Sequence, residues 1–510
     1  MAYPSPRTTT PLASPPRSPG LAALAFDTSS PTIMPPVLNT TPPQTTYPRN
    51  YPKKNAAQQA TPTPPWLERW AQATVFNVLS AMPLGQLTLR LPCGTVHHLG
   101  APAQKATHPN QALASPTTPI FPFPLAAEIT VHDPYAFVRM VLGGDIGLAE
   151  SYMAGDWDTP SIANVIAWFI LNAPHCALLQ DSPLKRGQIA LVRALVGTAY
   201  RMEHWQNRNR PEQSRKNIEA HYDLSNDFFR LFLDPSMTYS AGLFQATDNP
   251  LSFDTHSSEA LHQAQLRKYD ALCQALKLSP GKRVLEIGCG WGGFASYAAT
   301  HFGVEVVGIT LSPSQLRWAQ ERIQSEGLAR QVTLRLQDYR DLSPADDGTF
   351  DAIVSIEMIE AVGDAYYPAF LQTCARMLAP QGLLGIQMIT CPDSKFDTLR
   401  QHVDFIQKHI FPGSLLPSLG RLHAAMAGTP LTLFEQRDMG IDYALTLKCW
   451  LDRFMDRLDE VKAQGFSDSF IRKWAYYLDY CRAAFATRNI SVVQAVWTHP
   501  NNPTLMPSVW

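Results

Sequence analysis

The 510-residue sequence has almost no net charge, with 42 Lys and Arg set against 43 Asp and Glu. That balance withholds the basic footprint on which nucleic-acid binding depends, so no nucleic-acid partner is expected. No apolar run reaches the ~20 residues that a bilayer-crossing helix requires. The N-terminus lacks the charged-then-apolar-then-small layout of a secretory signal. Any membrane contact is therefore expected to be peripheral, from a cytoplasmic location. The eight cysteines are scattered without paired metal spacing. They read as free thiols in a reducing compartment, and no metal site is expected. Internal repeats are absent as well. What the chain does have is a 45% hydrophobic content, enough for a sizeable core, spread over a length that suggests more than one domain.

Residues 1–63 are rich in Pro, Thr and Ser and poor in apolar residues, so they read as a disordered tail, either a docking segment or a dispensable extension. A smaller N-terminal domain of mixed α+β and helical character is expected over 64–205. Within it, Trp66–Leu79 has helical spacing and Gly85–Arg90 alternates like a strand. Gly100–Pro124 looks like a loop, and Asp133–Leu142 reads as a helix with Asp133 as cap and Pro134 in its first turn. Residues 161–205 look largely helical. Lys185, Arg186, Arg193, Arg201, Arg208, Arg210, Arg215 and Lys216 then recur, forming either a solvated connector or a face for anionic head groups.

The pattern changes at Arg283, inside an expected catalytic domain spanning 206–500. Short β-branched runs at Arg283–Ile287, Glu305–Thr310, Val332–Leu336, Ala352–Ile356 and Leu383–Ile389 alternate with helical segments at Gly292–His301, Pro313–Glu326 and Ala365–Leu378. Two further strands fit Leu431–Gln436 and Ile490–Trp497, separated by helices around Ala444–Lys462 and Asp468–Thr487. The fold class is therefore α/β, a doubly wound, mostly parallel seven-stranded sheet. Its strongest local motif is Val284-Leu285-Glu286-Ile287-Gly288-Cys289-Gly290-Trp291-Gly292-Gly293, a buried strand entering a glycine turn and then a helix. Glycines allow a tight turn and close approach of backbone to a ligand. A nicotinamide nucleotide would favour G-x-G-x-x-G and an acid at the end of the second strand. Here the spacing is G-x-G-x-G-G, and that strand ends in Ile309-Thr310-Leu311-Ser312 without an acid.

At this point the sequence resembles the cyclopropane-fatty-acyl-phospholipid synthase family of S-adenosylmethionine (SAM)-dependent lipid methyltransferases. The matching segments are Gly147–Met153, His221–Phe229, Met237-Thr238-Tyr239-Ser240, the glycine turn, Gly308–Ser312, Gln337–Asp341, Met358–Gly363 and Phe411-Pro412-Gly413 with Leu416-Pro417-Ser418. Their order along residues 125–500 makes the likeness far more specific than any one of them. The resemblance implies a Rossmann-like SAM-methyltransferase sheet. It implies cofactor contacts from Glu286, Gly288 and Gly290 at the turn, from Thr310, Leu311 and Gln315 after the second strand, from Asp338 and Tyr339 near the adenine, and from Tyr239 and Ser240 in a lid. Read without the family, Gln315 would be a solvated helix position, Tyr339 a packed aromatic, and His221 either a pocket residue or a cap.

Methylating an isolated alkene leaves a carbocation, which must be shielded from water and must lose a proton to a base. The resemblance implies that bicarbonate, held in a small cage, is that base. The cage positions map to Ala241, Glu360, Gln387, Ile389 and Tyr443. Ala241 and Gln387 depart from the Cys and His of many members, but an amide still donates and accepts, so the altered cage is expected to hold bicarbonate. Glu360 follows an apolar run at a strand's carboxyl end, where an acid reads as functional rather than as a helix cap. Read without the family, Tyr443 would be a core tyrosine with its hydroxyl satisfied. Phe396–Ala425, with Phe405, Ile406, Ile410, Phe411, Leu415, Leu416 and Leu419, forms an insertion that either roofs an acyl tunnel or simply packs.

The implied activity is methylation of unsaturated acyl chains in phospholipids to cyclopropane fatty acids, at a bilayer surface. Methylene- or methyl-branched products are the alternative, and a homodimer is left open. SAM-dependent N-methylation of a small amine is the rival reaction, weakened by Ala361 where such enzymes tend to carry His. A non-catalytic SAM- or lipid-binding protein is the third reading.

Overall fold

The computed structural model describes residues 65–101, 125–175, 224–245 and 258–506. The 1–63 tail, nearly all of the 100–124 loop, the basic segment from Lys185 to Lys216 and His221 lie outside the described residues.

The first helix, Pro65–Ser80, leads into a four-stranded sheet of β1 (Gln86–Arg90), β2 (Val96–Gly100), β3 (Ala126–Val131) and β4 (Trp157–Asp158), in the order β2-β1-β3-β4. β1 is antiparallel to β2 and parallel to β3. Only β1 of these strands was legible in the sequence. The expected helix at Asp133–Leu142 runs on as Tyr135–Met153, broken at Gly144, where φ is +61° and ψ −129°. Asp133 does serve its start, its Oδ1 accepting from the Tyr135 amide at 3.0 Å. Helix Ile162–Asn172 begins at Ser161, whose hydroxyl accepts from the Asn164 amide.

The second sheet contains β5 (Arg283–Ile287), β6 (Glu305–Thr310), β7 (Val332–Leu336), β8 (Phe350–Ile356), β9 (Leu378–Thr390), β10 (Thr432–Asp438) and β11 (Ser491–Thr498). Its order is β10-β11-β9-β8-β5-β6-β7, parallel except where β11 lies antiparallel to β9 and β10. This is the doubly wound, mostly parallel seven-stranded sheet expected. Alternate residues serve opposite faces. Leu285, Ile287 and Ile353 join one apolar cluster, while Val284, Ala352 and Val354 join another. Covering both faces with helices buries these strands completely, which is why they appear as continuous apolar runs.

Helix Asp468–Ala486 packs against helices Tyr135–Met153, Ile162–Asn172 and Gly440–Asp456, joining the small sheet's helices to the large sheet's. Buried Arg472 anchors this junction. It donates to the Tyr152 and Trp157 carbonyls at 2.6 and 2.8 Å, pairs with Asp158, and lies over the Tyr152 ring. Glu150 makes a second link, accepting from Lys408 and His409 in the insertion that follows β9. Burial alone would raise its carboxyl, but hydrogen bonds from His409 and Lys408 hold it down at about 2.

Candidate active site

β5 ends between β6 and β8, and the backbone then turns sharply. Gly288 and Gly290 have φ of +87° and +51°, values that L side chains adopt only at a cost. A Cβ at Gly288 would stand 2.9 Å from Met358 Cγ, whereas one at Gly290 would meet nothing within 4 Å. Packing requires the first glycine, and the second borders open space. The Gly288 and Cys289 amides donate to the Ile309 carbonyl at 2.9 and 3.0 Å, pinning the turn to the end of β6. Glu286 is buried in β5 and accepts from the Ala295 amide near the start of helix Gly293–Phe302. Its Oε2 is buried with no partner among the described residues. Burial pushes this carboxyl well above the usual range.

At the end of β6, Ser312 caps helix Pro313–Ser325 by accepting from the Gln315 amide, and the Ser312 amide in turn donates to Thr310 Oγ1 at 3.2 Å. Gln315 is 5% exposed, so its helix position is not solvated. Beyond β7, Tyr339 stands edge-on to Phe370 at 5.1 Å and also faces the cavity, so it is a packed aromatic and a lining residue at once. The Asp338 carboxylate turns away to pair with Arg340. Asp338 does not line the cavity, whereas Gln337 and Tyr339 on either side of it do. Across the cavity, Tyr239 packs with Phe229, Trp450 and Phe411, and its hydroxyl lies 2.9 Å from that of Tyr477. Ser240 Oγ accepts from fully buried Lys268 at 2.7 Å. Burial lowers this lysine to about 8.

The five cage positions converge, but around a residue absent from the sequence reading. Glu357 follows β8 directly, and its amide donates to the Gln387 carbonyl on β9 at 2.8 Å. Its Oε1 accepts from the Ala241 amide at 2.9 Å and from Gln387 Nε2 at 2.8 Å. The Tyr443 hydroxyl also hydrogen-bonds to this carboxylate. Gln494 on β11 donates to Gln387 Oε1 at 3.0 Å, which leaves the Gln387 amide nitrogen facing Glu357. Burial pushes the Glu357 carboxyl up, and the hydrogen bonds from Ala241 and Gln387 pull it back toward the ionised form. Glu360 accepts from the Ile389 amide at 2.5 Å, while its Oε2 is buried without a partner among the described residues. Burial first, and then the neighbouring Glu357 charge, raise Glu360 to about 8.

These groups line a cavity of about 420 Å³ that runs from the glycine turn past Glu357, Glu360, Ile389 and Tyr443. Ala241 and Gln387 stand behind its wall and reach it through Glu357. The far wall is apolar, with Ile406, Phe411, Leu415 and Leu416 from the insertion and Leu447, Tyr477 and Phe485 from the last helices. Four of the seven insertion residues singled out from the sequence therefore face the cavity, whereas Phe405 and Ile410 are buried in the core. Sequence reasoning missed Glu357, Gln494, Lys268 and Gln337. Glu357 did carry a signal, a second acid three positions before Glu360 at the same strand end. Lys268 lies in helix Ser258–Ala275, which has no motif of its own.

A seven-stranded sheet of this order, with a glycine turn at a central strand's carboxyl end and a cavity beside it, defines the class of SAM-dependent methyltransferases. The solved structure of the mycolic acid cyclopropane synthase CmaA1 complexed with SAH and CTAB matches with a TM-score of 0.50 and 30% identity, covering 56% of this chain and 97% of that one. The family model for mycolic acid cyclopropane synthetase matches residues 209–495, and the chain belongs to that family. The tuberculostearic acid methyltransferase of Mycobacterium tuberculosis is 37% identical over 74% of this chain and 83% of its own length. The cyclopropane-fatty-acyl-phospholipid synthase of Escherichia coli is 36% identical over 73% of this chain and 88% of its own. Coclaurine N-methyltransferase, solved with N-methylheliamine and SAH, shares the fold at 17% identity and a TM-score of 0.51, over 69% of this chain and 99% of that one.

Proposed function

We propose that this enzyme methylates the double bond of unsaturated acyl chains in phospholipids with SAM, forming cyclopropane fatty acids. The observation that carries the reading is one cavity with two chemistries, a glycine turn with an unpartnered buried acid at one end and an apolar wall at the other. The cofactor fits the residues present. Glu286 Oε2 lacks a hydrogen-bond donor that an amino group would supply, and the open space at Gly290 admits a chain beside the turn. We assign Gly288, Gly290, Glu286, Thr310, Leu311, Gln315, Tyr339, Tyr239 and Ser240 to holding it, with Asp338 acting through Arg340 and the backbone. When bound, the cofactor supplies an electrophilic methyl on a cationic sulfur.

The remaining residues act on the acyl chain. Ile406, Phe411, Leu415 and Leu416 exclude water from the alkene, which protects the cation formed there from capture. Glu360 faces that cation, whose charge favours the ionised form of the carboxyl group that the Ile389 amide fixes. Tyr443, Gln387 and Ala241 support the base. Bicarbonate does not fit that role as the cage stands, because Ala241, Gln387 and Tyr443 already hydrogen-bond to the Glu357 carboxylate.

A bilayer is the surface on which this substrate is met. No described helix is long and apolar enough to cross a membrane, which supports a peripheral encounter. We divide the chain into a lipid-associated part at 64–205 and a catalytic part at 206–500. Light scattering of the purified protein tests the homodimer. A methylene or methyl branch is the second reading, favoured by the similarity to a protein named as a methyltransferase rather than a synthase. Incubation with SAM and monounsaturated phospholipid vesicles tests both. Mass spectrometry should show the gain of one CH2 per acyl chain, and ring-proton NMR should separate a cyclopropane from a methylene branch. Unmodified lipid alongside tight SAM binding would overturn the substrate assignment.

A further inference from the structure

We propose that the carboxylate of Glu357 is the resident base of this enzyme, occupying the anion cage itself so that no bicarbonate is used. The inference rests on the alkene-methylation reading above and deepens it. The donors available to an external anion are committed elsewhere. The Ala241 amide, the Gln387 side chain and the Tyr443 hydroxyl all hydrogen-bond to Glu357. Gln494 fixes the Gln387 amide in the orientation that donates to it. Glu357 lines the cavity, whereas Ala241 and Gln387 do not. A second anion placed there would lie against the Glu357 carboxylate and would be disfavoured by like charge.

The backbone points the same way. Glu357 has φ of +49°, the left-handed region, in a site where glycine would be unstrained. A strained acid at the end of a parallel strand, held by side-chain and backbone donors, is placed for use. Its surroundings also split the two acids. Burial raises both carboxyls, but Glu357 alone collects side-chain donors that favour the anion, while Glu360 keeps one oxygen unpartnered and is raised as well by the Glu357 charge. Such divergence separates a base from its neighbour.

In the step, the alkene π pair bonds to the methyl carbon as the carbon–sulfur bond breaks, leaving a neutral thioether and a carbocation on the acyl chain. A C–H bond of the transferred methyl then breaks. Its electron pair closes the ring, and the proton goes to the Glu357 carboxylate, which becomes the neutral acid. One positive and one negative charge are consumed, and no co-reactant is needed.

The full-length protein, with SAM and monounsaturated phospholipid vesicles, tests this. Wild-type turnover should be unchanged when dissolved carbonate is stripped and returned, and 13C-bicarbonate should give no protein-bound signal by NMR. Glu357→Gln, which keeps an acceptor for the Ala241 amide, should lose about 100-fold or more in turnover while binding SAM with unchanged affinity by calorimetry. Glu357→Gly, relieved of the left-handed strain, should fold and be equally slow. Carbonate-dependent turnover, labelled bicarbonate retained by the wild type, or a Glu357→Gln rate within about ten-fold of wild type would each overturn the proposal. If the wild type modifies no lipid at all, the substrate reading fails instead, and the labelled-bicarbonate experiment still decides what fills the cage.

Discussion

Glu360→Gln separates a residue kept for chemistry from one kept for stability. The Glu360 carboxyl is raised to about 8 from a reference of 4.5, by burial and then by the charge of Glu357. Its folded pKa therefore lies above its unfolded one. Below pH 4.5 both states are protonated and the group contributes no pH dependence. Between pH 4.5 and about 8 the folded state holds a proton that the unfolded state releases, so stability falls as pH rises. A difference of about 3.5 units at ~1.4 kcal/mol each sets a penalty on the order of 4–5 kcal/mol above the folded pKa. Glutamine keeps the acceptor for the Ile389 amide and cannot ionise, which removes that penalty. The variant should match wild type near pH 4.5 and exceed it at pH 8 by several kcal/mol in urea denaturation of the cofactor-free protein. Turnover should move the opposite way, falling about 100-fold: a sulfonium and the cation formed from the alkene favour the ionised form of Glu360, and one such charge at ~5 Å from a cation at an effective dielectric of ~20 contributes ~3 kcal/mol that glutamine cannot supply. Stability curves that run parallel to wild type at every pH would refute the view that burial holds Glu360 neutral. Unchanged turnover would remove it from the reaction.

Gly290→Asp should fold, since a Cβ there meets nothing within 4 Å. It should cost about 1–2 kcal/mol for its left-handed backbone, and calorimetry should detect no SAM binding once a carboxylate occupies the turn. Gln494→Leu leaves Gln387 Oε1 without its buried donor. It should cost about 1–3 kcal/mol of stability and slow turnover through a disordered cage without changing SAM affinity, as stopped assays and calorimetry would read. Trp66 and Trp70 are 64% and 41% exposed on the first helix, and aromatic rings of this kind favour the membrane interface. Replacing both with Ser should weaken sedimentation with phospholipid vesicles about ten-fold, equivalent to ~1.4 kcal/mol, and leave activity on detergent-dispersed lipid intact.

Local sequence was enough to determine the large sheet. Its central strands are largely buried on both faces, so each appears as a short apolar run; Arg283–Ile287 and Glu305–Thr310, and the half-buried edge strand Val332–Leu336, occupy the expected residues. The glycine turn was equally legible, because positive φ and close packing leave few residue types that fit. The small sheet was not. β2 buries only Leu99 of its five residues, and β4 has only two residues, so neither shows a period. Helix Ser258–Ala275, the source of Lys268, carries no motif, and nothing local shows that a lysine there is fully buried. The cage was decided by tertiary structure alone. Its members come from β8, β9, β11, helix Gly440–Asp456 and the segment before Ser258, and strand register brings them together. Ile356 pairs with Gln387 and Gln387 with Gln494, so the residue after Ile356 meets both the amide and the Ala241 backbone. Sequence alone names two acids three residues apart. Which of them collects the donors depends on a left-handed turn at Glu357 and on partners 30 and 116 residues away, and no local pattern encodes that.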